Sequence, residues 1–189
     1  MKTNLLALAL ILAAAFWRVV TVSHPAWSNV APVAALAFCG AAYLHDWRWW
    51  LVPFAALTVS DLWLNQYHAT HFGYGWSPAE MGLRVACFAS ALGLGWLVAR
   101  RRNVLTLAAG ALGSSFIFYV GTNSVSWFTD PFYAKTFAGW VQALTVGHPE
   151  YPSTLWFFRN TLLGDVLFTA LFAGAFTFAA APATTPVRP

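Results

Sequence analysis

Charge is what this chain lacks. Only 8% of its residues are Asp, Glu, Lys or Arg, against roughly 25% in an ordinary soluble domain. A surface so poor in charge cannot mostly face water. That excludes a soluble globular domain and implies a single-domain, all-α membrane protein over residues 1–181. Cysteine is equally sparse. Cys39 and Cys87 both lie inside apolar runs, so there is no disulfide framework and no C-x-x-C metal pattern, and both read as small packing residues. No Ser–His–Asp or His-Glu-x-x-His arrangement, nucleotide loop or Walker motif occurs. The expectation is therefore no catalytic residue, no resident cofactor and no ATP-driven transport by this chain alone. The formal charge of +4 is not a nucleic-acid signal. The one basic run, Arg100-Arg101-Arg102, ends an apolar segment, as an inward-facing membrane loop does.

What is abundant is apolar and aromatic: 59% and 17% of the residues. Six apolar segments fall at 4–22, 30–45, 49–66, 80–99, 103–121 and 161–181, each about long enough to span a bilayer as a helix. The first is expected to be a retained span and not a cleaved leader. The Pro/Thr-rich stretch 182–189 is expected to be a disordered cytoplasmic tail. With the N-terminus inside, Lys2, Arg48, Arg100, Arg101, Arg102 and Arg188 share the inner side, so both termini are expected in the cytoplasm of a multi-pass inner-membrane protein. The connections on the outer side are the long ones. Within the longest, Phe132 to Val146 has the mixed polarity of a short interfacial helix.

Polar residues inside the spans are sorted by helical spacing. Thr58, Asp61, Asn65 and His68 share a face of the third segment, and Ser77, Glu80, Arg84 and Cys87 share one of the fourth. Tyr119, Asn123 and Ser126 line up at the end of the fifth, and Thr161, Asp165 and Thr169 in the sixth. Arg159 and Asp165 sit at the mouth of that last segment, where a charge is costly unless paired or used. All these stripes fall in the expected outer half. A cavity there would draw hydrogen bonds from Asp61, Arg84, Asn123, Arg159, Asp165 and His24, with Trp63, Trp76, Trp127, Trp140 and Trp156 as apolar walls. Mostly aromatic walls with a few fixed polar groups suit a small organic molecule. The plainer alternative is an i,i+4 pair of Glu80 with Arg84, with Asp61 or Asp165 neutralising Arg18 or Arg159. His68 and His71, with His24 nearby, are weak candidates for metal ligation. Ala9 and Ala13 have the small-residue spacing that permits close helix approach.

Three stretches carry a family likeness: Ser28 to Phe38 (SNVAPVAALAF), Leu51 to Asp61 (LVPFAALTVSD) and Phe157 to Asp165 (FFRNTLLGD). Together they resemble an uncharacterised bacterial inner-membrane family similar to the substrate-binding S components of energy-coupling-factor vitamin transporters, the solitary cobalamin-transporting S component among them. The resemblance implies a six-helix S-component-like bundle. A vitamin-like molecule, cobalamin or another corrinoid included, would be held near the outer face, with Asp61 and Arg159 in the pocket. His68, His71 and Tyr74 stand in the loop where the cobalamin transporter has a cysteine near cobalt, which makes the two histidines candidate cobalt ligands. Ala9 and Ala13 would match the face shown to an energy-coupling transmembrane subunit with its ATPases. The expected function is capture and uptake of that molecule from the bilayer's outer side. The rival readings are a membrane enzyme acting on a lipid or periplasmic substrate, and a structural membrane subunit without ligand.

Overall fold

The computed structural model describes residues 2–22, 24, 27, 30, 32–44, 46–73 and 75–180. Among these the secondary structure is entirely helical: α1 (Lys2–Thr21), α2 (Val33–Tyr43), α3 (Leu51–Phe72), α4 (Pro78–Ala99), α5 (Val104–Thr129), α6 (Phe137–Leu144) and α7 (Thr154–Ala180). A 3-10 turn, Trp47–Trp50, leads into α3. The expected tail lies outside the described residues.

The core is built around α2. From Ala34 to Ala42 nearly every side chain is buried, with Ala35, Leu36, Ala37, Phe38 and Cys39 at 0% exposure. A helix that is apolar all round has no solvent face, so it belongs in the middle of a bundle. It packs against α4, α7, α5 and α3. The approach of α4 is close because Gly95 has no side chain: a Cβ there would sit 2.1 Å from the Phe38 carbonyl oxygen. Gly110 of α5 likewise makes room for the Phe38 ring.

Both ends of α2 meet a polar side chain of complementary kind. At the N-terminus, Asp165 of α7 accepts a hydrogen bond from the Ala35 N–H at 2.8 Å. At the C-terminus, Arg102 donates to the Ala42 carbonyl at 3.3 Å and lies over the Tyr43 ring. Anions favour helix N-termini and cations C-termini; the Asp165 end is buried, whereas Arg102 is exposed.

The connections follow from local chemistry. Ser77-Pro78-Ala79-Glu80 forms a capping box that starts α4, and Asn103 with Thr106 starts α5 the same way. α3 ends at Gly73, whose φ of 74° suits a glycine after a helix. α6 sits in the long connection before α7, inside the stretch expected to hold an interfacial helix. Gly139 and Ala143 are its buried residues, and the helix packs on α5. The Tyr119 hydroxyl donates to the Leu144 carbonyl, and the Tyr119 ring stacks on Phe158 at 4.1 Å.

Among the described residues three helices are long and apolar enough to cross a membrane: Pro78–Ala99, Val104–Thr129 and Thr154–Phe178. Their outward faces are oily, with Leu105, Phe116, Leu163, Leu167 and Leu171 each more than half exposed. This corrects the expectation of six such helices. The apolar run Leu5–Thr21 of α1 and Ala34–Tyr43 of α2 are shorter. An 11-residue helix rises only about 16 Å, half of a hydrocarbon core. α3 has the length, at 22 residues, but its polar stripe lowers its hydropathy. The physical reason for the miss at α2 is that a fully buried core helix and a bilayer span share one composition.

Replacing Gly95 by alanine should lower the melting temperature of the detergent-solubilised protein, because the clash is with backbone and costs about 1–3 kcal/mol. Gly93→Ala, at a site with nothing within 4 Å, should be neutral or stabilising. Equal effects of the two substitutions would contradict the packing described.

Candidate functional site

Asp61 is the centre of the polar interior. It lies midway along α3, is 1% exposed, and takes an arginine on each side. The Arg18 guanidinium of α1, itself 3% exposed, donates Nη2–H to Asp61 Oδ1 and Nη1–H to the Ser60 hydroxyl at 2.6 Å. Arg84 of α4 donates Nε–H to Asp61 Oδ2 at 2.7 Å and Nη2–H to Oδ1 at 3.3 Å, a fork on one carboxylate. A single anion thus binds two cations and ties three helices together.

The rest of the α3 stripe supports the same place. Asn65 Oδ1 accepts the Trp76 backbone N–H at 2.5 Å, which fixes the turn between α3 and α4. His68 Nδ1 lies 2.7 Å from the Leu64 carbonyl, and its ring is 5.6 Å from that of Trp76. The Trp76 indole in turn lies 4.0 Å from the Arg84 guanidinium carbon, a cation–π contact. Beside them is a cavity of about 70 Å³ lined by Trp76, Glu80, Leu83, Arg84, Thr122 and Ser126. Arg84 is one of its lining residues, and its Nη1 makes no hydrogen bond among the described residues. Glu80 lines the same cavity, yet its Oε2 is turned to the Ser77 N–H at 2.6 Å. The expected Glu80–Arg84 pair is not formed: among the described residues Arg84 pairs with Asp61 alone.

Asp165 plays a different part from the one expected. It is 0% exposed and accepts from the Ala35 N–H and from the Ser115 hydroxyl, the latter at 2.7 Å. It is a cap on α2 and not a wall of the cavity. Arg159 stands apart from it: it is exposed, donates to Asn160 Oδ1 at 3.3 Å and lies over Trp156 at 5.5 Å. Asn123 donates to its own helix, to the Tyr119 carbonyl at 2.8 Å. Trp127 gives its indole N–H to the Ala134 carbonyl and lines a separate groove with Trp140.

His24 is exposed at the end of α1. His71 is exposed and stacks on Tyr67 at 4.0 Å. Tyr74 lies outside the described residues. Among the described residues, no group of three or more His, Cys, Asp and Glu could hold a metal ion, so His68 and His71 have no third ligand there. Cys39 and Cys87 are buried and free. Ala9 and Ala13 both face outward on α1, while Ala7, Ile11 and Ala14 face the core.

Of the expected cavity residues, the structure brings Asp61 and Arg84 together with Trp76. Arg18 joins them as the plainer alternative had it, paired with Asp61, and Ser60 completes the group without having been counted in it. The signal for Arg18 was its place in an otherwise unbroken apolar run. The signal for Glu80 as a cap was the Ser-x-x-Glu spacing.

A family model described as a family of unknown function (DUF6580) matches residues 1–187. No curated protein and no solved structure matches the chain.

Asp61→Asn should cost about 3–5 kcal/mol of unfolding free energy, because it leaves Arg18 buried without a counter-charge. Asp165→Asn should cost only about 1–2 kcal/mol, since asparagine remains a capping acceptor for the Ala35 N–H. Chemical unfolding in detergent measures both, and the reverse order would contradict these roles.

Proposed function

We propose that this chain, which belongs to the DUF6580 family of unknown function, is a membrane protein that captures a small vitamin-like molecule through an anionic group and helps it cross. The observation that carries the reading is Arg84. Its guanidinium is held by Asp61 and stacked by Trp76, keeps Nη1 without a hydrogen bond among the described residues, and belongs to a side chain that lines a cavity. A half-buried guanidinium with a donor unused among the described residues, beside a cavity, can offer that donor to a ligand. A guanidinium fixed in position and flanked by an indole suits a planar carboxylate or a phosphate.

The wider arrangement is S-component-like in this proposal. α1 to α5 and α7 follow the six expected segments in order, and α6 lies over one end. The arginine run and Arg48 would face the cytoplasm of a bacterial inner membrane, with both termini on that side. The Asp61 level and α6 would then face outward. Ala9 and Ala13, on the exposed side of α1, would offer the approach surface for an energy-coupling subunit. Cobalamin or another corrinoid is the ligand class named by the resemblance. At about 70 Å³ the cavity takes one anionic substituent of such a molecule, and its bulk would lie outside among Trp76 and the end of α3.

Purification in mild detergent followed by mass spectrometry of the retained small molecules tests the reading. The wild-type protein and Arg100→Gln, at the opposite end of the bundle, should retain the same compound. Arg84→Gln should retain it roughly 10- to 100-fold less well, the worth of one charge-assisted pair. Equal retention by Arg84→Gln would remove this site. Chemical conversion of the compound without uptake into vesicles would establish an enzyme instead.

A further inference from the structure

A second feature lies away from the Asp61 cluster. Between the last turn of α5 and the start of α6 runs an open groove of about 390 Å³, lined by Trp127, Lys135, Thr136, Phe137 and Trp140. We propose that this groove holds an anionic phospholipid, with Lys135 on the headgroup phosphate and the aromatic side chains against the upper acyl chain.

The groove's polar groups are already spoken for, with one exception. The Trp127 indole N–H is given to the Ala134 carbonyl and the Trp140 indole N–H to the Ser124 hydroxyl, each at 2.9 Å. The Thr136 hydroxyl accepts from the Gly139 N–H as the N-cap of α6. Both indole rings are therefore fixed, and they present apolar faces. Lys135 Nζ donates to the Trp127 and Asp130 carbonyls, each at 2.5 Å. An ammonium carries three donors, so one remains while the other two anchor it over the end of α5. Asp130, whose carbonyl takes one of those bonds, has Oδ1 turned to the Phe132 N–H at 2.9 Å. An apolar trough with one fixed cation matches an amphiphile with an anionic head.

Position names the occupant. α5 is one of the three helices long and apolar enough to cross a membrane, and the groove opens where that helix ends. Tryptophan and lysine are the residues that anchor such a boundary. Exposed apolar side chains accompany it on both elements: Phe137 of the groove itself is 75% exposed, and Phe116, three turns down α5 and on the Trp127 side by helical spacing, 56%. A water-soluble phosphate would have no use for that band, whereas an acyl chain lies along it. The proposal does not rest on the Arg84 cavity, and either can fail without the other.

The test uses the full chain in nanodiscs of phosphatidylcholine mixed with phosphatidylglycerol, with retained lipids counted by native mass spectrometry after release into detergent. The wild-type protein should retain phosphatidylglycerol over phosphatidylcholine by about fivefold, the factor one lysine provides at an anionic surface. Lys135→Gln should bring that ratio near one, and Lys135→Arg should keep it, which separates charge from loss of the α5 cap. Phe137→Ser should lower retention of both lipids. Equal retention of the two lipids by wild type, or the same ratio in Lys135→Gln, would overturn the proposal. Displacement of the bound lipid by glycerol 3-phosphate alone would overturn it too, since the site would then read only a free phosphate.

Discussion

One carboxylate shared by two arginines is the interaction on which the interior depends. Asp61, Arg18 and Arg84 are carried by α3, α1 and α4, and none of the three could sit alone at this depth. Desolvating an isolated ion costs several kcal/mol, and attraction offsets that only when geometry is good and the remaining donors are satisfied. Here the geometry is good: Arg84 forks onto Asp61, and Ser60 accepts the second Arg18 donor. The functional reading grows from the same fact. Asp61 fixes the direction of the Arg84 guanidinium, Asn65 fixes the turn that carries Trp76, and the two together form the wall of the cavity.

The second buried carboxylate solves a different problem. α2 is too short to reach both faces of a bilayer, so its N-terminus and its unpaired N–H groups end inside the bundle. Water cannot satisfy them there. Asp165 does so from α7, with Ser115 of α5 holding its other oxygen. Arg102 meets the carbonyls at the far end. A hydrophobic helix is thereby tied at both ends by hydrogen bonds from other helices and connections, and α4, α5 and α7 can pack around it. Two acids of the same type thus separate cleanly: one ties three helices beside a cavity, the other completes the packing of α2.

How far the sequence could be read follows the physics of each signal. Helical periodicity put Thr58, Asp61, Asn65 and His68 on one face, and three of them converge on Trp76 and Arg84. Chain order and helix positions were also legible, down to a short helix within 132–146. The depth of α2 was not, because burial in protein and burial in lipid demand the same residues. Arg159 and Asp165 stand close in sequence, but six residues on a helix do not share a face. The eye that groups them by proximity misses that one is exposed and the other caps a helix. The role of Asp165 needed long-range partners, Ala35 and Ser115, that no local pattern announces.

The sharpest single measurement is a double-mutant cycle on the unfolding free energy in detergent, pairing Asp61→Asn with Arg84→Gln. If one carboxylate holds the Arg84 guanidinium in place, the two substitutions are coupled by about 1–3 kcal/mol, and Arg84→Gln costs far less once Asp61 is gone. Additivity within about 0.5 kcal/mol would mean that the two side chains do not meet in the folded protein, and the shared-carboxylate account would be wrong.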